Sequence, residues 1–224
     1  MVDITTWKQL KAETEQKGVT LVAVSKKKPV SDIEELYRQG ERNFGENYVQ
    51  ELIEKHPQLP ADINWHYIGH LQTNKVKYIA GFVHMIHAVD SFKLLLEINK
   101  QAAKHDRVID VLLQLHVAEE ETKHGLDNNE VTELMEYYTT QKDNLPNVRI
   151  RGVMGMATFT DDMEQVRREF AAIKNVQTLL KDTYFITADY FNVCSMGMSG
   201  DYKIAMEEGS TMVRIGSSIF GERS

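Results

Sequence analysis

The strongest constraint on the fold is a repeated alternation along the chain. Short apolar runs at residues 19–24, 43–45, 64–68, 83–88, 110–117, 149–156, 191–196 and 212–215 are separated by segments of helical composition at 31–39, 47–55, 72–80, 91–104, 128–139, 162–181 and 200–208. Runs of this kind suit strands buried on both faces, and the helices between them supply the crossovers that a parallel sheet requires. An amphipathic opening segment, 6–17, stops at Gly18. Eight such runs, with no Pro/Gly/Ser-rich linker between them, predict an α/β fold: one (β/α)8 TIM barrel spanning residues 1–224, in preference to an open doubly wound sheet.

Composition narrows the function classes. The formal net charge is -7 with no long basic block, which argues against nucleic acid as the main partner. Cys194 is the sole cysteine, so one chain can form neither an internal disulfide nor a multi-thiolate metal site, and a reducing compartment fits best. The first residues, MVDITTWKQLKAETEQKG, carry no secretory hydrophobic segment, and no run approaches the roughly 20 apolar residues that span a bilayer. A soluble, cytoplasmic protein with no membrane association is expected.

In such a barrel the chemistry lies at the carboxyl ends of the strands and in the loops that follow. Read in order, those positions hold SKKK (25–28), GENYVQE (45–51), HYIGHLQTNK (66–75), VDS (89–91), EEETKHG (119–125), ATFTDD (157–162), SMGMSGD (195–201) and GSSIFGE (216–222). Gly216, Ser217 and Ser218 offer backbone N–H groups and hydroxyls without bulk, and SMGMSG places Ser199 near an expected helix start. Loops seven and eight are where barrels often hold a phosphate, although glycine for tight turns and serine for capping would leave the same trace.

Loop one adjoins loop eight around a closed barrel. A lysine ending the first strand, TLVAVSKKKPV, can therefore reach the carbonyl of a phosphorylated ligand and form a Schiff base, provided its amine is unprotonated. Period-two geometry sets Lys26 and Lys28 on one side and Lys27 on the other if the strand continues that far. The pattern alone does not choose among them. Arg214, flanked by Val213 and Ile215 on the last strand, must find an acceptor: either a structural ion pair or a ligand, for which a ring nitrogen is one choice.

Together AVSKKKP, FGENYVQE, WHYIGHLQTNK, the KHG around Lys123, RGVMGMA, SMGMSGD and GSTMVRIGSSIFGER resemble the pyridoxal 5'-phosphate (PLP) homeostasis protein family, the YggS-like or proline synthetase co-transcribed group. The likeness runs from about residue 20 to the carboxyl end. It implies a PLP-binding barrel resembling the amino-terminal domain of alanine racemase, the architecture of PLP fold type III. By this resemblance Lys26 forms the Schiff base with the cofactor, Ser199, Gly216 and Ser217 contact its phosphate, Met196 lines the site, Arg214 lies near the pyridine nitrogen, and Asn47 lies close by. The family usually has SKTKP where this chain has SKKKP, so Lys27 is expected to point away from the cofactor.

The resemblance implies a carrier that buffers or delivers PLP, the vitamin B6 cofactor, and affects amino-acid and keto-acid pools without established turnover. PLP-dependent apoenzymes are its candidate recipients, and a monomer is expected. The alternative is a fold-type III racemase or decarboxylase. Those enzymes add a β domain, whereas eight βα units consume this chain; an arginine beside the pyridine nitrogen keeps it unprotonated and mutes carbanion chemistry without forbidding it, since alanine racemase uses such an arrangement. A class I aldolase would commonly carry its lysine on strand six, but RIRGVMGMAT has none.

Several other residues have plain readings. His84 and His87 are three apart on a strand and point to opposite faces, so they are not expected to chelate a metal. His66 is expected at the rim or in the core, Lys123 as a solvated loop residue with some reach to the cofactor, and Cys194 as a buried apolar residue.

Overall fold

The computed structural model describes residues 2–117 and 125–221. Eight parallel strands close into a barrel in sequence order: β1 (Thr20–Val24), β2 (Asn43–Glu46), β3 (Asn64–Tyr67), β4 (Met85–Val89), β5 (Ile109–Gln114), β6 (Val148–Met154), β7 (Val193–Ser195) and β8 (Met212–Ile215). Closure is made by β1 against β8, where Val22 pairs with Arg214 and Ala23 with Ile215.

Alternation of side chains sorts the apolar residues into two cores. Val22, Met85, Leu112, Met154, Val193 and Met212 fill the barrel, while Leu21, Ala23, Phe44, Trp65 and their neighbours face the helices. Burial on both sides is why these strands read as continuous apolar runs.

The helices are α1 (Ile4–Gln16), α2 (Val30–Arg38), α3 (Val49–Lys55), α4 (Val76–Ile79), α5 (Phe92–Ala103), α6 (Asn128–Gln141), α7 (Met163–Tyr184), α8 (Tyr202–Glu207) and α9 (Ser217–Phe220). Among the described residues, no helix is long and apolar enough to cross a membrane.

The expected elements are present, and their ends differ for local reasons. The helix expected from residue 47 starts at Val49, because the Asn47 carbonyl accepts from the Tyr67 hydroxyl at 2.9 Å. The segment expected from 72 opens with a 3-10 turn, Thr73–Lys75, before α4. Strand seven is only Val193–Ser195, since Phe191 stacks on Phe185 with ring centroids 4.1 Å apart. The GSSIFGE stretch, expected as loop because its glycine-serine start carries no helical period, forms the short α9. The EEETKHG stretch, including Lys123, falls outside the described residues but for Gly125.

Cys194 is fully buried in the core facing the helices, and burial pushes its thiol up to about 12. Ellman's reagent is therefore expected to leave the native protein unmodified and to titrate one thiol after denaturation. Prompt reaction in native buffer would contradict that placement.

Candidate functional site

The apolar run of β1 ends at Val24, and the chain then turns. Lys28 N–H donates to the Ser25 carbonyl at 3.0 Å, and Lys27 takes a left-handed conformation with φ 61°. The strand does not continue through the lysines, yet their separation holds. Lys26 and Lys28 are half-buried, and Lys27 is exposed.

What fixes this turn is a buried cluster from β2 and α3. Lys55, the last residue of α3, donates through Nζ to the Ser25 carbonyl at 2.9 Å, to Glu46 Oε1 at 2.8 Å and to Glu51 Oε1 at 2.6 Å. Ser25 Oγ–H donates to Glu46 Oε1 at 2.6 Å, and Lys27 N–H donates to Glu51 Oε1 at 2.5 Å. Burial holds the Glu46 carboxyl above its ordinary range, and the Lys55 charge and hydrogen bonds pull it back. Sequence reading missed this clamp: Glu51 and Lys55 show an i,i+4 pairing, but the long-range partner Glu46 leaves no local signal.

On the neighbouring strand, Gly216 follows β8 and precedes α9. A side chain there would meet the Val24 carbonyl, its Cβ lying 3.1 Å from that oxygen, so glycine lets β8 close against the end of β1. Lys26, Lys28, Gly216 and Ser217 line one cavity of about 30 Å³, with Val24 and Gly221. In α9 the Ile219 and Phe220 amides donate to the Gly216 carbonyl at 3.0 and 2.9 Å, which leaves the first two amides, of Ser217 and Ser218, as the unspent N–H groups of this helix start.

Arg214 lies two residues back along β8 and is almost fully buried. Its partners are neutral: Nη1 donates to the Ser195 carbonyl and to Ser195 Oγ, both at 2.7 Å, and Nη2 donates to the Gly155 carbonyl at 3.0 Å. The structural ion pair considered from sequence is not what holds it. These bonds use both Nη1 hydrogens and one on Nη2, leaving Nε–H and the second Nη2 hydrogen without a hydrogen-bond partner among the described residues. Burial lowers the guanidinium to about 10, so it stays charged at neutral pH.

The other expected site residues are not all brought to this cavity. Ser199 is half-buried in the turn before α8, whose first turn follows Asp201, so the helix starts later than expected. Met196 is fully buried in the layer between barrel and helices, and its side chain does not line the cavity. Asn47 lines a separate groove of about 620 Å³ with Tyr67, His70 and Lys75, where its Oδ1 is buried with no hydrogen-bond partner among the described residues. Gly69 permits that approach, because a Cβ there would overlap the Asn47 backbone.

Two histidines belong to the barrel interior. His66 is in the core rather than at the rim, and His87 is fully buried. His84 precedes β4 and sits edge-on to His66 with ring centroids 5.3 Å apart.

Comparison with known proteins agrees with this architecture. Residues 5–224 match the model of the alanine racemase, N-terminal domain, family. The pyridoxal phosphate homeostasis protein of Aquifex aeolicus is 42% identical over 204 residues, covering 91% of this chain and 86% of that protein. PipY of Synechococcus elongatus PCC7942, solved with PLP bound, superposes with a TM-score of 0.84 at 32% identity, covering 96% of this chain and 100% of PipY. Alanine racemase of Bartonella henselae shares the fold, with a TM-score of 0.68 at 16% identity over 96% of this chain and 58% of the racemase. With the racemase-type barrel and a curated relative this similar along nearly its whole length, the chain belongs to the pyridoxal phosphate homeostasis protein family.

Proposed function

We propose that this chain binds PLP at the mouth between β1 and β8, holds it as a Schiff base on Lys26, and serves intracellular PLP homeostasis, with effects on amino-acid and keto-acid pools. The observation that carries this reading is the convergence of Lys26, Gly216 and Ser217 on one cavity beside a buried arginine. The name of the Aquifex relative and the PLP bound to PipY support it.

The residues fit the group. Arg214 has N–H groups to spare for a neutral ring nitrogen; Gly216 and the Ser217 and Ser218 amides, with the Ser217 hydroxyl, suit a phosphate, and the resemblance adds the Ser199 hydroxyl. When bound, PLP supplies an aldehyde carbon that condenses with a primary amine, releasing water, and an electron-withdrawing ring. The protein's own part is to hold and orient. The Lys55 clamp sets the turn that carries Lys26, and Arg214, able only to donate, keeps the facing nitrogen an acceptor. A ring nitrogen kept unprotonated is a weaker electron sink, which mutes carbanion chemistry without forbidding it, so the carrier reading leans on the names of the relatives. PLP-dependent apoenzymes are the proposed recipients.

Adding PLP to purified protein should produce a visible absorbance band, which borohydride bleaches while fixing the label on Lys26. Lys26→Ala should lose the band, and Lys27→Ala should keep it. A label found on another lysine overturns the site assignment. Sustained, Lys26-dependent exchange of solvent deuterium at an amino acid's α carbon would replace the carrier reading with the racemase one.

A further inference from the structure

Inside the barrel a line of polar side chains crosses from the amino ends of the strands towards the mouth. Asn43 Oδ1, at the start of β2, contacts His66 Nε2 at 3.2 Å; His66 Nδ1 contacts His87 Nε2 at 3.0 Å; His87 Nδ1 contacts Ser195 Oγ at 3.2 Å; and Ser195 Oγ meets Arg214 Nη1. His66, His87, Ser195 and Arg214 are all buried. Nothing in the binding scheme above uses the two histidines.

The direction of every bond follows from its ends. Asn64 Nδ2 donates to Asn43 Oδ1 at 3.2 Å, so that oxygen is an acceptor and His66 Nε2 must carry the hydrogen it receives. Burial keeps both imidazoles neutral: His66 is lowered to about 3, and His87 falls well below its ordinary value. A neutral ring that donates through Nε2 accepts through Nδ1. His66 Nδ1 therefore accepts from His87 Nε2–H, and His87 Nδ1 accepts from the Ser195 hydroxyl. From the other end, arginine cannot accept, so Ser195 Oγ receives from Arg214 and spends its own hydrogen on His87. The two derivations meet with no donor facing a donor. Reversing either imidazole would set two acceptors together at Asn43 or strand the serine hydrogen.

We propose that Ser195, His87 and His66 are positioning residues for Arg214, a one-way hydrogen-bond chain that fixes the guanidinium plane so that its remaining N–H groups face the ligand's acceptor. The inference rests on the PLP reading for the identity of that acceptor. It gives the histidines a task that packing alone does not require, since an apolar filler would fit a barrel core at lower desolvation cost.

The first test needs no ligand. Nitrogen-15 NMR of histidine-labelled wild-type protein should show the His66 and His87 resonances, assigned by single substitution, as neutral Nε2–H tautomers. An Nδ1–H tautomer at either residue overturns the chain. The second test is PLP titration. Ser195→Ala should weaken PLP binding about 10-fold or more, the scale of one hydrogen bond to a charged group, and shift the pH midpoint of the visible band. Borohydride should still label Lys26, and Ser195→Thr should restore both readouts. Unchanged affinity and midpoint in folded Ser195→Ala overturn the inference and leave the PLP site standing. Failure of wild-type protein to take up PLP sinks the PLP reading, and the proposed service to the ligand falls with it.

Discussion

Lys55→Met should destabilise the fold by roughly 3–5 kcal/mol, the usual cost of leaving a buried charge without its partner. Lys55 is almost fully buried, and Glu46, which it neutralises, is wholly so. Methionine keeps the aliphatic length and removes three donors at once: to the Ser25 carbonyl, to Glu46 and to Glu51. The loss should depend on pH with a definite sign. Burial already raises the Glu46 carboxyl above its ordinary 4.5, and removing the cation raises it further. Near 4.5 and below, Glu46 is protonated with or without Lys55, so the deficit is smallest there. It grows as pH rises and the folded variant must either keep a proton the unfolded chain has shed or bury an unpaired carboxylate. Urea denaturation at several pH values measures this directly. A deficit under about 1 kcal/mol at neutral pH, the range of an exposed pair, would show the clamp to be ornamental. Because the same ammonium holds the turn carrying Lys26, borohydride labelling at Lys26 should weaken in the variant even where it stays folded.

The second large effect is acid lability from the barrel histidines. His66 and His87 are held neutral by burial, so the folded state binds no proton at either as pH falls below 6.5, whereas the unfolded chain does. A depressed histidine contributes stability that is present at neutral pH and lost on acidification. His66 should cost about 1.4 kcal/mol per pH unit once well below 6.5 and down to about 3, and His87 acts with the same sign. His56 and His84 are also lowered by burial and add in the same direction. Glu46 opposes them, since its raised carboxyl favours the folded state as pH falls. The carboxylates held low, Asp3, Asp62 and Glu207, act below this window. Stability should thus fall between 6.5 and 4.5; His66→Gln should flatten the slope by about 1.4 kcal/mol per unit once well below 6.5, and His87→Gln should flatten it in the same direction. A slope unchanged in both variants would show that the rings take up protons in the folded state.

Much of the barrel is legible in sequence because burial on both faces of a parallel strand leaves unbroken apolar runs, and the loop residues that interrupt them mark one rim. The pairing of β1 with β8, which brings Lys26 towards Gly216 and Ser217, follows from closure alone. What sequence hides is chosen by three-dimensional parity. Glu46 and Asn43 both belong to β2, yet one turns to α3 and the other into the barrel. His66 stands in register with Met85, and His87, two residues further along β4 and on the same face, reaches it on the diagonal, a pairing that no local pattern announces. The partners of Arg214 are carbonyl groups and a hydroxyl, which no residue-type pattern announces. Met196 shows the converse: the resemblance implies that it lines the site, while alternation from Ser195 sets its side chain in the core facing the helices.

Closure of β1 by β8 also bears on synthesis. The first strand leaves the ribosome with one edge that only the last strand can cover, and Asp3 N–H waits for the Ile219 carbonyl, which it meets at 2.8 Å. At roughly 5–20 residues per second that edge stays open for on the order of ten seconds or more, a time in which strand edges invite association. The cavity shared by Lys26 and Ser217 comes into being only once β8 and the residues after it have been made. On the proposed reading, a chain that stops short of β8 cannot hold the ligand at this mouth, and uptake at Lys26 reports that β8 is in place.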